Sequence, residues 1–308
     1  MKFFKLPIYA LAAALITAPT VANAWWWQWD DDDDDEVEIP FDEAFLFFEL
    51  NDTDGDLGIH GKIDGGPWGK MEIEGPNERT LLKVRARGRL KNQGMTELFF
   101  ESAEPCFPSD PECEEDEALE PEEFFARFPE GEYEIEGETL EGDELENEVY
   151  LSHVMPAAPG PDGTKVNAVD AAENCDEELE IVNPAGGVTI SWDAVTMSHA
   201  SLPPGTTPQN IAANVQYYEV VVEIDESDFK QTAIVPPDVN EWTFSEDFFG
   251  LAAEGVLETD DEVDCEGPVN STKCLAEYKY EILVRVNNKD MNPGNKSAME
   301  SCFLVEIK

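Results

Sequence analysis

"LEIVNPAGGVTISWDAVT", residues 179–196, is the stretch from which the fold of this chain can be worked out. It contains two apolar runs rich in Val and Ile, separated by Pro184, Gly186 and Gly187, which are residues typical of a tight turn. Runs of this length and composition, bounded by turn residues, predict two strands. The second run carries Trp192. The stretch therefore predicts the start of an all-β domain near residue 177.

Further strand patterns follow at residues 215–225, 239–247, 278–290 and 297–308. Residues 177–308 as a whole resemble a fibronectin type III domain. In that family a Trp on the second strand packs in the core, and a Tyr on the sixth strand bonds back to the preceding corner. The resemblance gives the first role to Trp192 and the second to Tyr280, or else to Tyr278. It implies binding or architecture rather than chemistry, although insertions at 197–214 and 248–274 depart from the family pattern.

Upstream of this domain, the alternation of apolar and polar residues predicts strands at 45–50, 70–74, 81–90, 132–138 and 148–154, and a short helix at 120–128. A Pro- and Gly-rich stretch follows. The expected fold class is all-β, with two β-sandwich domains in tandem (residues 40–158 and 177–308, linked by 159–176). The second is fibronectin type III-like, and the first has one short helix. Segments of the first domain are also similar to exported bacterial proteins of unassigned activity that carry a C-terminal fibronectin type III-like domain.

The first 24 residues have the features of a Sec-type signal peptide: Lys2 and Lys5, an apolar run, and an Ala-x-Ala site ending at Ala24. They predict export to the periplasm or the cell exterior, without a membrane span. Residues 25–39 form an expected tail, in which six aspartates follow an aromatic cluster. The cluster either docks on a partner, a glycan or another subunit, or makes no fixed contact. Its tryptophans are Trp25, Trp26, Trp27 and Trp29.

All six cysteines follow the signal peptide, so an oxidising compartment favours up to three disulfides. Spacing pairs Cys106 with Cys113 and Cys265 with Cys274 as local clips, and leaves Cys175 with Cys302 to close the second domain. A metal site built from these cysteines is the weaker interpretation, because the sequence has no C-x-x-C motif and only three histidines.

The chain carries 69 acidic and 19 basic residues, a formal net charge of −50. Nucleic acids and anionic membranes are repelled by such a field, whereas divalent cations are attracted. Most of the carboxylates are expected to serve solubility.

The stretch "NDTDGD" (51–56) has the alternating acids of a calcium loop. Asp52, Asp54 and Asp56 occupy the first three ligand positions, but Leu57 stands where an EF-hand requires Gly, and the flanking glycines cannot begin a helix. Two interpretations remain. One is an EF-like Ca2+ loop closed by Asp64, and the other is an acidic turn whose side chains cap their own backbone.

Five basic residues alternate along the predicted strand at 81–90 and just beyond it, so that they share one face. They form either a site for a polyanion or an acidic partner, or a set of cross-strand pairs with the glutamates of "EYEIEGE" (132–138). The five residues are Lys83, Arg85, Arg87, Arg89 and Lys91.

No catalytic motif such as G-x-S-x-G is present, and the three histidines are scattered. The sequence therefore favours an exported, non-enzymatic binding, adhesive or structural protein, with Ca2+ as candidate stabiliser and an extracellular protein or glycan as partner. The alternative is a secreted hydrolase that attacks polysaccharide with a carboxylate pair in the first domain. A third hypothesis is an envelope component whose acidity drives salt- or calcium-dependent self-association.

Overall fold

The computed structural model describes residues 38–105, 107, 118–224, 229–250, 263–266, 273–288 and 293–307. The predicted signal peptide, the tryptophan cluster, Cys106 and Cys113 lie outside these residues. Within them, no helix is both long and apolar enough to cross a membrane.

The described chain is mostly β, which confirms the expected fold class. The first part has six strands and one helix: β1 (Glu43–Asn51), β2 (Asp56–Gly75), β3 (Arg79–Arg85), β4 (Met95–Glu101), α1 (Pro121–Arg127), β5 (Gly131–Thr139) and β6 (Glu144–Leu151). Ten strands follow: β7 (Lys165–Val166), β8 (Val169–Asp170), β9 (Ile181–Val182), β10 (Val188–Ser191), β11 (Val215–Glu223), β12 (Lys230–Val235), β13 (Glu241–Phe244), β14 (Val263–Glu266), β15 (Lys273–Asn287) and β16 (Pro293–Ile307).

The predicted short helix is confirmed as α1. Pro121 stands in its first turn, where the backbone N–H that proline lacks would have no partner within the helix. The negative charges of Glu122 and Glu123 stabilise the helix because they lie at the positive end of its dipole. Its apolar side holds Phe124 and Phe125, which pack against Phe48 of β1 with ring centroids 5.8 and 5.2 Å apart. The helix thus closes the core of the first part of the chain.

Two buried clusters form the interior of the described chain. One draws its members from residues 41–155 and the other from residues 166–305. Trp192 lies in the second cluster, 4% exposed and edge-on to Tyr218 at 5.3 Å, as the fibronectin type III resemblance implies. Of the two candidate corner tyrosines, Tyr278 is the one whose hydroxyl donates to a backbone carbonyl, that of Phe249.

The strands form a twelve-stranded sheet and a four-stranded sheet. The larger sheet runs from β12 through β11, β15, β16 and β1 to β2, β5 and β6. Strand β2 belongs to two sets of neighbours: its first half pairs with β1 and β4, and its second half with β3 and β5. Its pairing is irregular between Asp64 and Trp68, around Gly65, Gly66 and Pro67, which have little capacity to hold a straight strand.

The first and last strands of the described chain lie side by side. β1 pairs with β16 in parallel, with Glu49 opposite Lys296 and Asn51 opposite Ala298. The sheet therefore continues across the predicted linker at 159–176, and residues 37–308 cluster into one compact unit. The tandem-domain boundary remains a prediction: the two cores come from different parts of the chain, but one sheet is shared between them.

Asn295 is the buried polar residue at this junction, only 1% exposed. Its Oδ1 accepts a hydrogen bond from the backbone N–H of Phe48 at 2.8 Å. Its Nδ2 donates to the carbonyls of Ser152 and Val154 at 2.8 and 3.1 Å. One amide thus satisfies backbone groups of β1 and of the segment after β6, which would otherwise be buried without partners.

The predicted disulfide between Cys175 and Cys302 is present, with the Cα atoms 4.8 Å apart. It ties an irregular segment before β9 to β16 and closes a separation of 127 residues. Cys265 and Cys274 stand opposite each other in the register of β14 and β15, and their pairing as a disulfide remains a prediction. The predicted pairing of Cys106 with Cys113 lies outside the described residues.

Replacing Asn295 by Ala should lower the free energy of unfolding by about 3 kcal/mol, because three backbone groups lose their partner in a buried site. Urea unfolding of the variant and of the exposed control Asn92→Ala measures the effect. A loss no larger than that of the control would show that the junction does not depend on this amide.

Candidate functional site

The acidic turn, residues 51–56, joins β1 to β2 as a hairpin connection. The Asn51 side chain accepts from the N–H of Thr53 at 3.1 Å and donates to Asp54 at 3.0 Å. The N–H of Gly55, at φ +81°, closes the turn on the Asn51 carbonyl at 2.8 Å. Only Gly adopts this backbone conformation without strain. The side chains of the turn thus hold their own backbone, as the second interpretation of this stretch expects.

Asp52 has a partner from the distant insertion at 197–214. The Nε2 atom of His199 lies 3.0 Å from Asp52 Oδ1. The other ring nitrogen, Nδ1, accepts from the N–H groups of Ser201 and Leu202 at 3.2 and 3.0 Å. Because Nδ1 is an acceptor here, the proton belongs on Nε2, which donates to Asp52. The insertion is therefore anchored on the acidic turn.

Asp64 does not join the acidic turn. It lies on β2 opposite Glu43, whereas Asp56 stands opposite Asn51 at the other end of the hairpin. Eight residues of extended strand separate the two aspartates by about 26 Å. Asp64 is therefore too far away to close a calcium loop with Asp52, Asp54 and Asp56.

Among the described residues, one group of three potential metal ligands has its donor atoms within 4.8 Å of one another, and it contains none of these aspartates. It consists of Cys175, Glu277 and Cys302. The acidic turn thus does not present a converged ligand set in this geometry.

The predicted basic stripe is only partly on a strand. β3 ends at Arg85, and Gly88 at φ +61° turns the chain into a single 3-10 turn at Leu90–Asn92. Lys83 and Arg85 lie on β3, whereas Arg87 lies between the end of β3 and Gly88, Arg89 follows Gly88, and Lys91 lies in the 3-10 turn. The five residues do not share one strand face, because β3 ends at Arg85 and the positive φ at Gly88 then turns the chain.

The alternative partners of the stripe, the glutamates of 132–138, lie on β5, and β2 runs between β3 and β5. Lys83 forms its ion pair with Glu72 of β2 instead. Lys70 of β2 in turn pairs with Glu138 of β5. The ion pairs therefore run through β2 rather than directly from β3 to β5.

Beyond these two lysines the same face becomes a glutamate face, formed by the outward side chains of β2, β5 and β6. Five pairs of glutamates stand directly opposite each other in its register. Like charges in this position destabilise a sheet. Burial and neighbouring carboxylates raise the pKa of Glu136, and they also raise that of Glu146. The pairs are Glu72 with Glu136, Glu74 with Glu134, Glu134 with Glu148, Glu136 with Glu146, and Glu138 with Glu144.

A second polar surface, the junction face, lies where β15, β16, β1 and β2 meet, on the side of the sheet opposite the cores. Its centre is Phe47, 3% exposed, which stacks on His60 at 5.3 Å. The guanidinium of Arg285 lies 4.5 Å from the Phe47 ring centroid, and the ammonium of Lys296 lies 5.1 Å from it. Both distances are within the range of cation–π attraction. Residues from both parts of the chain therefore build this face together.

Carboxylates surround the cations of the junction face. Lys296 pairs with Glu49 at 3.0 Å, and Lys279 pairs with Glu300 at 2.9 Å. Glu281 stands directly opposite Glu300 in the register of β15 and β16. The result is a mixed-charge surface with donors and acceptors.

Among the carboxyl groups of the junction face, that of Glu281 has the most strongly shifted pKa. Burial, with the charges of Glu49 and Glu300 as further causes, raises its pKa to about 7. Burial also raises the pKa of Glu300, although Lys279 opposes the shift. A carboxyl group that exchanges its proton near neutral pH can change the charge of the face within the physiological range.

These residues were not singled out by the sequence, although one signal for them was present. The alternation over 278–286 places Glu281 and Arg285 on the side opposite the buried Tyr280, Ile282 and Val284. No local pattern indicates that Phe47 and Glu49, more than 200 residues away in sequence, lie on β1, which is separated from β15 only by β16. The junction face was therefore missed because it depends on a long-range pairing.

Replacing Glu281 by Gln should stabilise the protein at high pH. The folded chain holds the Glu281 proton more tightly than the unfolded chain, so this group has no effect below pH about 4.5 and lowers stability as the pH rises to about 7. Glu281→Gln should therefore raise the free energy of unfolding by about 2–3 kcal/mol at pH 8 and by little at pH 4.

Urea unfolding at both pH values, with the exposed Glu241→Gln as control, measures this difference. Equal effects of Glu281→Gln at pH 4 and pH 8 would contradict the raised pKa.

The hypothesis of a calcium loop is tested by calorimetry and by melting with Ca2+ or with chelator. The variants are Asp52→Asn, Asp54→Asn and Asp56→Asn together, and Asp64→Asn as the control. Because Asp52 and Asp54 already have hydrogen-bond partners, we expect no saturable site, and equal melting temperatures with Ca2+ and Mg2+ at matched ionic strength. Saturable binding of one ion that only the triple variant abolishes would instead establish a calcium site at the acidic turn.

No protein-family model matches the chain, and no curated protein matches it. Several solved structures are similar to it at low identity. One is a 1.5-MDa bacterial ice-binding adhesin retained at a host cell surface (11% identity, 88% of this chain, 66% of that chain, TM-score 0.22). Another is a Ca2+-stabilised adhesin with which an Antarctic bacterium binds ice (12% identity, 86% of this chain, 50% of that chain, TM-score 0.22).

A third similar structure is a segment of two fibronectin type III domains from chicken tenascin (10% identity, 86% of this chain, 98% of that chain, TM-score 0.23). The chain spans less than two thirds of the length of either adhesin chain. At these TM-scores the similarities assign neither a residue role nor an activity to this chain.

Proposed function

We propose that this chain is an exported, non-enzymatic binding protein whose ligand-recognition surface is the junction face, and that the ligand is an extracellular protein or a glycan. The observation that carries the proposal is the stack of Arg285 and Lys296 on Phe47, within a ring of carboxylates and between strands from both parts of the chain. Phe47 and Arg285 are themselves buried and form the rigid support, while the partly exposed ion pairs of Lys296 with Glu49 and of Lys279 with Glu300 offer charged donors and acceptors. Such an arrangement is what specific recognition of polar ligands requires.

An exposed aromatic ring at the border of this face supports the proposal. Phe99 of β4 is 58% exposed, and its ring centroid lies 6.1 Å from that of His60. Aromatic rings of this kind provide contact area to peptides and sugars at small entropic cost. The Cys175 to Cys302 disulfide supports an exported location, because such bonds persist in oxidising compartments.

Calcium has no part in the proposed recognition surface. The contact between Asp52 and His199 already orders the turn and the insertion at 197–214.

Hydrolysis of polysaccharide is the second candidate function, favoured by the raised pKa of Glu281 and its position opposite Glu300. One carboxyl group that holds its proton near pH 7 beside a second carboxyl group is the general requirement of glycoside hydrolysis. This candidate pair, Glu281 and Glu300, lies on the junction face, whereas the sequence predicted a carboxylate pair in the first domain.

Screening residues 25–308 against arrays of glycans and extracellular proteins tests the proposed function. Phe99→Ala should weaken binding of any ligand found by roughly tenfold or more, as loss of a buried aromatic contact does. Leu90→Ala, which removes an exposed apolar residue outside the junction face, should leave binding unchanged.

Equal effects of the two substitutions would show that the ligand binds elsewhere. Release of reducing ends from a polysaccharide, abolished by Glu281→Gln, would establish hydrolysis and overturn the non-enzymatic assignment.

A further inference from the structure

Three potential metal ligands converge on the larger sheet beside the junction face, where Cys302 stands directly opposite Lys279. They are the sulfur atoms of Cys175 and Cys302 and a carboxylate oxygen of Glu277, all within 4.8 Å of one another. Cys302 lies on β16 and is 5% exposed, while Cys175 and Glu277 are half-buried. Solvent therefore reaches the group from one side.

In the oxidised protein the two sulfur atoms are bonded to each other and cannot act as thiolates. We propose that reduction of this disulfide converts the group into a metal site for Zn2+, with the Cys175 and Cys302 thiolates and the Glu277 carboxylate as ligands. Two thiolates and one carboxylate are ligand types that Zn2+ accepts, and three protein ligands leave a fourth position for water.

The chemical step balances with a dithiol as reductant. The disulfide takes up two electrons and two protons and becomes two thiols, while the dithiol loses the same and becomes a disulfide. Zn2+ then displaces the two thiol protons to solvent and binds the thiolates. The reverse step closes the site: the disulfide form of the same small dithiol takes up two electrons and two protons, the Cys175 and Cys302 thiolates re-form their disulfide, and Zn2+ is released.

The backbone geometry suits this exchange. Tetrahedral Zn2+ with bonds of about 2.3 Å to sulfur places two thiolates roughly 3.8 Å apart, so the sulfur atoms must separate when the metal enters. Cys302 and Glu277 are held in the ladder of β15 and β16. Cys175 lies on the irregular segment before β9, outside any strand, and can supply the movement.

The charge of the chain also favours cation entry. A formal net charge of −50 raises the local concentration of divalent cations near the surface. This field does not by itself distinguish Zn2+ from Mg2+ or Ca2+. The two thiolates supply that distinction, because sulfur ligands select Zn2+ over the hard cations.

The experiment uses residues 25–308 in which Cys106, Cys113, Cys265 and Cys274 are replaced by Ser, so that Cys175 and Cys302 are the remaining cysteines. The protein is reduced with a trialkylphosphine, which does not compete for metal, and titrated with Zn2+ and with Co2+. We expect one ion per chain, together with the sulfur-to-cobalt charge-transfer absorption of thiolate ligation. The oxidised protein should show neither.

Glu277→Gln should weaken Zn2+ binding to the reduced protein by at least about tenfold, since loss of a supporting group alone has that effect. Glu281→Gln, four residues along the same strand face, should leave it unchanged. No binding to the reduced protein, or binding that Glu277→Gln does not weaken, would overturn the proposal.

A second measurement tests the proposal even if the reduced protein does not stay folded. The unfolded, reduced protein is refolded under air with and without Zn2+, and formation of the disulfide is followed by thiol alkylation. Zn2+ should slow disulfide formation, and should slow it less in Glu277→Gln. Equal rates with and without Zn2+ would refute the site.

Discussion

A single buried amide, that of Asn295, holds together the strands on which the larger sheet depends. It satisfies backbone groups of β1 and of the segment after β6 at the point where β1 joins β16. Without that join, two facing strand edges would expose unpaired N–H and C=O groups, which is a risk for aggregation. The shared sheet and the junction face both include the strands that this amide connects.

The acidity of the chain is distributed so that the fold tolerates it. The opposed glutamates lie on the outward face of strands whose inward residues, among them Ile73, Ile135 and Leu145, are 0–1% exposed. Apolar burial on one side therefore offsets repulsion on the other. On the separate junction face, Glu281, whose pKa burial raises to about 7, carries only part of a charge at neutral pH and so repels Glu49 and Glu300 less than a fully ionised carboxylate would. Because the opposed glutamates of β2, β5 and β6 repel one another, a cationic ligand that binds between them can stabilise the fold.

Local sequence patterns were sufficient to predict those strands and helices that are specified by their own residues. Alternation over 132–138 predicted β5, early Pro and paired Phe residues predicted α1, and cysteine spacing predicted the Cys175 to Cys302 disulfide. The pairing of β1 with β16 could not be predicted, because its partners are 247 residues apart and no local signal specifies their register. The basic stripe and Asp64 were misplaced because the strands end and extend differently from the local pattern: β3 ends at Arg85 rather than continuing to residue 90, and β2 carries Asp64 away from the acidic turn.

The parallel arrangement of β1 and β16 has a mechanical consequence. β1 begins at the end of the pair opposite to that where β16 ends, so tension applied to the chain before β1 and after β16 pulls the two strands past each other lengthwise. The hydrogen bonds between them, and those of Asn295 and of Thr53 with Glu300, then bear the load together rather than breaking one after another as in an unzipping hairpin. The described unit is thereby built to resist shear along its long strands.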